Sequence, residues 1–399
     1  MVDRRFWAGL TSAVLVASVA AGCGGPATSD RGAVVLEGEV VVGAVVELTG
    51  PGLPIGTVHR NALRVTVDQI NEGGVLVDGK RRKLRLVVKD SASDPAKGAA
   101  AARELVTNDH VAAIVGASTT AVTMAMVPVA EELGVPLVSL AASDAIVTPV
   151  SARKFCFKVS PNGGDIAAAI ADNALRMGAK KIGLLTARGT YGDIVTQVMT
   201  GALAIRSSDG LSLVKGERFA EDGSDVTDRL AALLEARPDA ILLGALMPGA
   251  ARAVSAIKAS GYTGKIFLDP SAGADQFLSG PTAADAEGMF MVHPAVLDPN
   301  SIATTPAGLA QQEFRRRYIQ EYNTYSGVAP SAYDALHMIT EAITTTKGTE
   351  RGPLRDALEN THYDGVAGNY VFGPDHHGGV DKGTLTTFVV RLGGWQLLY

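Results

Sequence analysis

Residues 111–143 contain two short apolar runs with polar and helix-like sequence between them. A short apolar run ends at Gly116, small hydroxyl residues follow, a segment with helical spacing runs to Glu132, and residues 135–139 are apolar again. Two short apolar runs joined by a helical segment are typical of a strand, a crossover helix and a parallel strand. The pattern therefore predicts one βαβ unit in this stretch.

Both predicted strands are followed by small hydroxyl side chains. Ser118, Thr119 and Thr120 follow the first strand, and Ser139 and Ser143 end the second. Open α/β sheets bind ligands at the carboxyl ends of their strands. Thr120 would lie at a helix N-terminus, where unpaired amides and the helix dipole favour an anion such as a carboxylate. The stretch thus predicts a carboxylate-sized site without a nucleophile and base.

The alternation of strands and helices continues on both sides of this unit. Asp94 and Pro95 form a helix start, with the aspartate as N-cap and the proline in the first turn. After residue 158 the alternation begins afresh, which predicts a second α/β domain of the same kind. The predicted strands are residues 40–48, 84–89, 181–185, 212–217, 240–243 and 265–269, and the predicted helices are residues 59–71, 95–107, 167–177, 192–205, 226–236 and 250–260.

The first 39 residues lack this alternation. Residues 1–22 have two arginines, an apolar middle and small residues before Cys23, which is typical of an export signal. Their apolar middle of roughly 15 residues is short for a membrane span, which needs ~20. The cysteine after Ala-Ala-Gly looks like a lipobox, so Cys23 is predicted to become the lipid-modified first residue of a bacterial lipoprotein. Residues 23–39 are predicted to form a flexible tether.

The composition of the chain limits which partners and which covalent bonds are expected. The chain has 36 basic and 41 acidic residues and a net charge of −5, so nothing favours nucleic acid as a partner. Apart from Cys23, which is predicted to carry the lipid, Cys156 is the one cysteine, so no disulfide is expected within the mature chain. Because it lies between two aromatic residues, it is predicted to be a buried small hydrophobe. The roughly 360 residues after the tether are enough for two core-forming units.

A strand, a glycine-rich loop and a helix in this order also suggest a dinucleotide-binding loop. The glycines at positions 50, 52 and 56 depart from the Gly-x-Gly-x-x-Gly spacing, and Pro51 and Pro54 remove amides that a pyrophosphate would need. Asp90, taken as the ribose acid, lies about forty residues on, where ~20 is usual. We therefore expect no nucleotide cofactor.

Two serines have surroundings that suggest nucleophiles. Ser271 lies in a sequence that resembles a nucleophile elbow, but aspartate replaces its first glycine. Ser255 and Lys258 match Ser-x-x-Lys on a predicted amphipathic helix, without the partner motifs of that class. Residues 375–377, Asp-His-His, lie between glycines and a proline, which favours a solvated turn over a metal site. We expect neither catalytic residues nor a metal site.

Short motifs in a fixed order cover the chain from about residue 40 to residue 288, with a looser match beyond. They are Val42-Gly43-Ala44 with Thr49-Gly50-Pro51, Asp68-Gln69-Ile70-Asn71-Glu72-Gly73-Gly74, Asp90 with Asp94-Pro95, Gly116 with Thr120 and Pro128, Val135-Pro136-Leu137-Val138-Ser139, Thr190-Tyr191-Gly192 and Ala286-Glu287-Gly288. Their ordered series, more than any single motif, resembles the leucine/isoleucine/valine-binding family of extracellular solute-binding proteins. This family has the type I periplasmic-binding fold and serves ABC importers.

The resemblance implies an α/β fold of two Rossmann-like lobes with largely parallel sheets, joined by a hinge that the chain crosses three times. The crossings are expected near Phe157-Lys158, Gly288-Met289 and Lys382-Gly383. Lobe 1 would comprise residues 40–157 and 289–382, and lobe 2 residues 158–288 and 383–399. In the last third of the chain, the pattern predicts helices at residues 311–322, 333–345 and 354–358, a strand at residues 369–372 and a final lobe 2 strand at residues 386–392.

The resemblance also implies a ligand site between the lobes. Groups around Thr120 would take an α-carboxylate, while the Ala141 carbonyl, the Ser143 hydroxyl and an acid from lobe 2 would take an ammonium. Tyr191 would cover the ligand. This chain has Ser271 at the acidic position, so a small amide or an aliphatic or aromatic carboxylate is open beside an amino acid. The expected ligand-binding residues are Thr120, Ala141, Ser143, Tyr191, Ser271, Ser118, Thr119 and Met247.

The function implied by the resemblance is the capture of a small amino-acid-like solute, a branched-chain amino acid or a related amide or carboxylate, for an ABC importer. The expected partners are this solute, the permease subunits and the membrane, reached through a lipid anchor on Cys23 at the extracytoplasmic face of a bacterial cell. The protein is expected to be a monomer without cofactor, metal or catalysis. The alternatives are a ligand-sensing regulatory protein of the same fold, which would need a signalling segment beyond Tyr399, and a secreted hydrolase.

Overall fold

The computed structural model describes residues 36–298 and 304–398. The predicted signal, Cys23 and all but the last residues of the predicted tether lie outside the described residues. The described chain forms two lobes, each an open sheet with helices between its strands, which confirms the predicted α/β fold class. Among these residues, no helix combines the length and the apolar character that crossing a bilayer requires.

The chain begins with the sheet of lobe 1. Its elements are β1 (Glu39–Val46), α1 (Leu53–Gly73), β2 (Val75–Val77), β3 (Lys80–Asp90), α2 (Pro95–Thr107), β4 (Ile114–Gly116), α3 (Thr120–Leu133), β5 (Leu137–Ser139) and β6 (Cys156–Lys158). The strands have the order β2-β3-β1-β4-β5-β6, and β2 is antiparallel to β3 while the others are parallel. In the central strand β1, residues 42–46 are all buried, as expected for a parallel strand covered on both faces.

The next part of the chain forms most of lobe 2. Its elements are α4 (Gly163–Arg176), β7 (Lys181–Ala187), α5 (Thr190–Ile205), β8 (Ser212–Phe219), α6 (Val226–Leu234), β9 (Ala240–Gly244), α7 (Gly249–Ala259), β10 (Lys265–Leu268), α8 (Pro281–Asp285) and β11 (Phe290–Pro294). The strands lie side by side in the order β8-β7-β9-β10-β11, and all are parallel.

The remaining elements add helices to lobe 1 and then complete the sheet of lobe 2. They are α9 (Pro306–Tyr322), α10 (Ala329–Thr346), α11 (Arg351–Glu359), β12 (His362–Asp364), β13 (Asn369–Val371), β14 (Leu385–Arg391) and β15 (Gly394–Leu397). Helices α9 and α10 pack on α1, and β12 and β13 pair with each other. Strand β14 lies antiparallel between β11 and β15.

The chain passes between the lobes after β6, after β11 and after β13. The first of these connections follows Lys158, and the third lies between Val371 and Leu385. The second follows Pro294 and not residues 288–289, because β11 pairs in parallel with β10 inside the lobe 2 sheet. The strand predicted at residues 386–392 as the last one of lobe 2 corresponds to β14. A further strand, β15, follows β14 and pairs with it.

Several local predictions are confirmed. Asp94 Oδ1 accepts a hydrogen bond from Lys97 N at 3.0 Å and so caps α2. Cys156 is buried, and burial raises the pKa of its thiol well above the usual range, as expected for an unreactive small hydrophobe. Helix α1 begins earlier than predicted, because Pro54 fits its first turn.

Candidate ligand-binding site

A cavity of about 640 Å³ lies between the two lobes. Its walls include the turns after β1, β4 and β5 of lobe 1 and after β7, β9 and β10 of lobe 2, so it lies at the carboxyl ends of both sheets. This is where open α/β sheets bind ligands, and the volume falls within the ~300–1,000 Å³ of small-molecule sites. Of the expected residues, the cavity is lined by Ser118, Thr119, Thr120, Tyr191, Met247 and Ser271.

The turn from β4 into α3 presents two unpartnered hydroxyl groups to the cavity. Ser118 and Thr120 are each 4% exposed, and the described part of the chain offers neither Ser118 Oγ nor Thr120 Oγ1 a hydrogen-bond partner. Thr120 begins α3, where backbone amides lack intrahelical partners. Because a buried hydroxyl without a partner is costly, both groups are candidates to bind a ligand.

The same turn also binds a carboxylate of the protein itself. Glu47, which follows β1, is fully buried. Its Oε2 accepts a hydrogen bond from Ser118 N at 3.0 Å, and its Oε1 accepts from Thr119 N at 3.1 Å and from Thr119 Oγ1 at 2.6 Å. Two of the amides expected near a ligand carboxylate therefore donate to Glu47.

The glycine-rich loop after β1 is shaped around Glu47. A Cβ atom at Gly56 would lie 1.9 Å from the Glu47 carbonyl oxygen, and a Cβ atom at Gly52 would lie 2.8 Å from Glu47 Cγ. Both approaches are closer than side-chain atoms tolerate, so glycine is required at these positions. The loop that resembles a dinucleotide-binding sequence therefore serves to pack a buried acid.

His59 of α1 is a further cavity residue, which the sequence analysis did not single out. It is 1% exposed, and neither ring nitrogen has a hydrogen-bond partner of good geometry within residues 36–298 and 304–398. Burial lowers the pKa of His59 to about 4, with a weaker opposing effect from the Val328 backbone. The imidazole is therefore neutral at pH 7, with one nitrogen as donor and the other as acceptor.

A network around Asp269 forms the wall of lobe 2. Asp269 Oδ1 accepts from Tyr191 OH at 2.5 Å and from Ser271 N at 2.8 Å, and Oδ2 accepts from Ala245 N at 2.9 Å. Burial raises the pKa of Asp269 and, together with the nearby Asp269 charge, that of Tyr191. An acid thus lines the cavity two residues before Ser271, but its hydrogen-bonding capacity is largely used within the lobe.

Ala141 and Ser143 do not line the cavity. The Ala141 carbonyl oxygen accepts from Ser160 Oγ at 2.6 Å, and Ser143 Oγ accepts from Ala145 N at 3.3 Å at the start of a 3-10 turn. Both groups expected to hold an ammonium thus have protein partners. Their contact with a ligand stays a prediction.

Two helix faces supply the apolar wall. Ile166 and Ile170 lie on one face of α4, and Val195 and Met199 lie on one face of α5. All four line the cavity although none is more than 9% exposed, and Leu242 of β9 lies beside them. The cavity therefore extends from the polar turns into the core of lobe 2.

The residues considered for metal binding lie apart from the cavity. His377 is buried, with its Nε2 3.2 Å from Glu359 Oε1, while His376 lies exposed in the turn. Throughout the described ranges, no group of three or more His, Cys, Asp or Glu side chains could hold a metal ion.

Comparison with known sequences connects this architecture to a family. A sequence profile of the family described as "Periplasmic binding protein" matches residues 39–390. The Leu/Ile/Val-binding protein homolog 7 of Brucella abortus is 24% identical over 349 residues, which are 83% of this chain and 84% of that protein. The Leu/Ile/Val-binding protein homolog 3 of Brucella melitensis is 28% identical over 166 residues, which are 41% of this chain and 44% of that protein.

Solved structures share the fold. An extracellular ligand-binding receptor from Rhodopseudomonas palustris has a TM-score of 0.79 at 26% identity, over 90% of this chain and 100% of that one. LivJ from Streptococcus pneumoniae, solved in complex with isoleucine, has a TM-score of 0.75 at 24% identity, over 90% of this chain and 98% of LivJ. A solute-binding protein from R. palustris BisB5, solved in complex with 3,4-dihydroxybenzoic acid, has a TM-score of 0.75 at 22% identity, over 90% of this chain and 95% of that protein. The resemblance predicted from the motifs is thereby confirmed, and the chain belongs to the periplasmic binding protein family.

Proposed function

We propose that this protein is the solute-binding component of an ABC importer. It captures a small amino-acid-like solute, a branched-chain amino acid or a related amide or carboxylate, between its lobes and delivers it to permease subunits. The observation that carries this proposal is a cavity at the carboxyl ends of both sheets, where buried polar groups without partners among the described residues meet an apolar wall.

The proposal includes a place of action. A lipid on Cys23 would hold the protein at the extracytoplasmic face of the bacterial membrane, and residues 23–39 would act as a flexible tether between lipid and lobes. The monomer would then stay within reach of the permease. A sensory role for the same fold is the alternative.

The hinge supplies a mechanism for capture and release. Lobes joined by a few connecting segments can open and close as rigid bodies. A solute that touches Thr120 of lobe 1 and Tyr191 of lobe 2 favours the closed form, because its interaction with both walls is complete there. The permease would recognise this closed form and receive the solute unaltered.

A hydrolase has less support. Ser271 Oγ donates its hydrogen to the Ala245 carbonyl oxygen at 3.0 Å, and Ser255 lies outside the cavity. A serine nucleophile needs a neighbouring base that can take its proton, and a backbone carbonyl is not such a base. The names of the relatives also refer to binding.

The size of the site supports a small solute. LivJ was solved with isoleucine and the BisB5 protein with 3,4-dihydroxybenzoic acid, so proteins of this fold hold solutes of that size. Both solutes join a polar end to an apolar body. A cavity with polar turns at one side and the α4 and α5 faces at the other suits a solute with the same two parts.

Calorimetric titration with amino acids, short amides and small carboxylates tests the proposal, with small-angle scattering on the same samples. We expect at least one solute to bind, to reduce the radius of gyration and to be recovered unchanged. A scattering profile that stays the same with every solute would contradict capture between the lobes. Turnover of an ester or amide that is lost in Ser271→Ala would favour the hydrolase.

Substitutions on the two walls test the site. Thr120→Ala removes a hydroxyl donor from lobe 1 and Tyr191→Ala removes the aromatic cover from lobe 2, so each should weaken binding by about tenfold or more. Thr200→Ala is the matched control, because this exposed residue of α5 lies outside the cavity. Unchanged affinity in both wall variants would contradict this position for the ligand.

A further inference from the structure

A buried carboxylate of the protein lies directly behind the polar end of the cavity. Glu47 accepts hydrogen bonds from the Ser118 and Thr119 amides and from the Thr119 hydroxyl. A ligand carboxylate at the start of α3 would compete for these donors and bring a second carboxylate into the same buried turn. Like charges close together repel strongly where water is excluded. The turn therefore disfavours an anionic head group.

A cationic head group, in turn, would find few free acceptors. The first turn of α3 carries the positive end of the helix dipole. In lobe 2, Asp269 already accepts three hydrogen bonds, two at Oδ1 and one at Oδ2, so one lone pair is left for an ammonium that has three hydrogens to donate. Glu221 and Asp222 also line the cavity, but both are exposed, where solvent screens their charges.

The unpartnered groups match a neutral head group. Ser118 Oγ and Thr120 Oγ1 are buried and line one cavity without partners in the part of the chain that the structure describes. The ring of His59 is also buried and lines the same cavity, and the Val328 backbone is a weak hydrogen-bond partner for one of its nitrogens. Each hydroxyl and the neutral imidazole offers both a donor and an acceptor. A primary amide offers a carbonyl acceptor and an NH2 donor, so it could satisfy these groups without bringing a net charge into the cavity.

The apolar wall defines the other part of the solute. Ile166 and Ile170 of α4 and Val195 and Met199 of α5 line the cavity below the polar turns. These side chains offer dispersion contacts and no hydrogen bonds. An aliphatic or aromatic body fits between the two helices.

We propose that the cavity takes an uncharged amphipathic solute, with a primary amide or a similar neutral head on Ser118, Thr120 and His59 and an apolar body between α4 and α5. This inference rests on the proposed function and narrows its substrate class. It makes Glu47 the residue that selects against carboxylates.

Three solutes with the same carbon skeleton separate the head-group classes: 4-methylpentanamide, 4-methylpentanoate and 4-methylpentylamine. In calorimetric titration of the wild-type protein at neutral pH, the amide should bind at least about tenfold more tightly than the other two. Leucine is titrated beside them. A carboxylate, amine or leucine affinity equal to that of the amide, or no measurable amide binding, would overturn this inference. The proposed function fails separately, if no solute of the wider panel binds or closes the lobes.

Glu47→Gln tests the selecting residue. Glutamine keeps the shape of the side chain and removes its charge, so the ratio of carboxylate affinity to amide affinity should rise at least about tenfold. Both affinities are measured on one variant, so a loss of stability alone would not change their ratio. Glu39→Gln is the matched control, because Glu39 lies in the same segment of chain but is exposed and pairs with Arg85 at 2.8 Å. An unchanged ratio in Glu47→Gln would overturn the inference.

Discussion

Gly56 and Gly192 occupy equivalent places in the two lobes, in the first turn of the helix after β1 or β7. A Cβ atom at Gly56 would lie 1.9 Å from the Glu47 carbonyl oxygen, and one at Gly192 would lie 1.8 Å from the Ala187 carbonyl oxygen. Each helix thus passes so close to the end of its own strand that no side chain fits. Because Tyr191 precedes Gly192, this approach also positions the aromatic ring at the cavity.

Gly192→Ala should lower the free energy of unfolding by about 1–3 kcal/mol, because the new methyl group forces the backbone of α5 away from β7. Gly201 of the same helix has no heavy atom within 4 Å of its Cβ position. Gly201→Ala should therefore raise the free energy of unfolding by up to about 1 kcal/mol through helix propensity. Urea denaturation measures both values, and equal stability of the two variants would contradict the close approach.

The strand-end rule predicted Ser118, Thr119 and Thr120, which line the cavity, and also Ser139 and Ser143, which do not. Tyr191, which the family resemblance implied, lines the cavity as well. The same reasoning did not find Glu47 or His59. Each is a single polar residue within or beside an apolar pattern, and its role depends on neighbours from distant parts of the chain. One signal was present in the sequence: His59 shares a helix face with buried residues three and four positions later.

The first crossing between the lobes contains an ion pair between a buried lysine and a partly exposed aspartate. Lys158, the last residue of β6, is fully buried, and its Nζ donates to the carbonyl oxygens of Ser160 and Pro161 at 3.0 Å each. It also lies 3.1 Å from Asp144 Oδ1, which accepts from Gly163 N at 3.2 Å at the start of α4. Burial lowers the pKa of Lys158, and the Asp144 charge opposes this. Asp144 therefore links a lobe 1 strand to a lobe 2 helix.

Asp144→Ala should lower the free energy of unfolding by about 2 kcal/mol, because it leaves the buried Lys158 without its counter-charge. Adding Lys158→Met to the Asp144→Ala variant should restore part of the lost unfolding free energy. Asp172→Ala removes an exposed partner of Arg206 at 2.7 Å and should change stability by less than about 1 kcal/mol. Urea denaturation of these variants makes the comparison. The same loss in the Asp144 and Asp172 variants would contradict a special role for the pair of Lys158 and Asp144.

Long, periodic segments were predictable from the sequence, and so were the short strands β4, β5, β10 and β13, but other short strands were not. Helix α2 has the predicted bounds because Asp94 and Pro95 fix its start. Strands of three or four residues, such as β2, β6, β12 and β15, are too short to show a periodic pattern of apolar residues. They form because their backbone pairs with a neighbouring strand. The crossing after β11 was misplaced for a related reason, since sheet membership depends on pairing with distant strands.

Two buried histidines of the cavity, His59 and His293, tie the stability of the whole molecule to pH. Burial lowers the pKa of each to about 4, opposed only weakly by the backbone at Val328 and Pro294. In the unfolded chain a histidine takes up its proton near pH ~6.5. Between these values the unfolded state binds more protons than the folded state, so the free energy of unfolding falls as the pH falls.

Acidification from neutral pH to about pH 5 should lower the free energy of unfolding by about 2 kcal/mol for each of these histidines. Asp334 acts in the opposite direction, because burial raises its pKa to about 7, so the effect is measured as a difference between variants. His59→Gln and His293→Gln should each reduce the loss of unfolding free energy between neutral pH and pH 5. Urea denaturation at the two pH values measures this loss. The exposed His376→Gln is the control. A pH dependence equal in all variants would contradict this account.

The sheet of lobe 1 takes its strands from one continuous stretch, residues 39–158, while the sheet of lobe 2 takes β14 and β15 from the far end of the chain. Strand β11 pairs with β14 at five positions. During synthesis from the N-terminus, lobe 1 can assemble its strands early, but one side of β11 has no partner until residues 385–391 have left the ribosome. An unpaired strand edge invites association with other chains. A premature stop before Leu385 would therefore harm the nascent protein through aggregation, even though every residue of the polar turns had already been made.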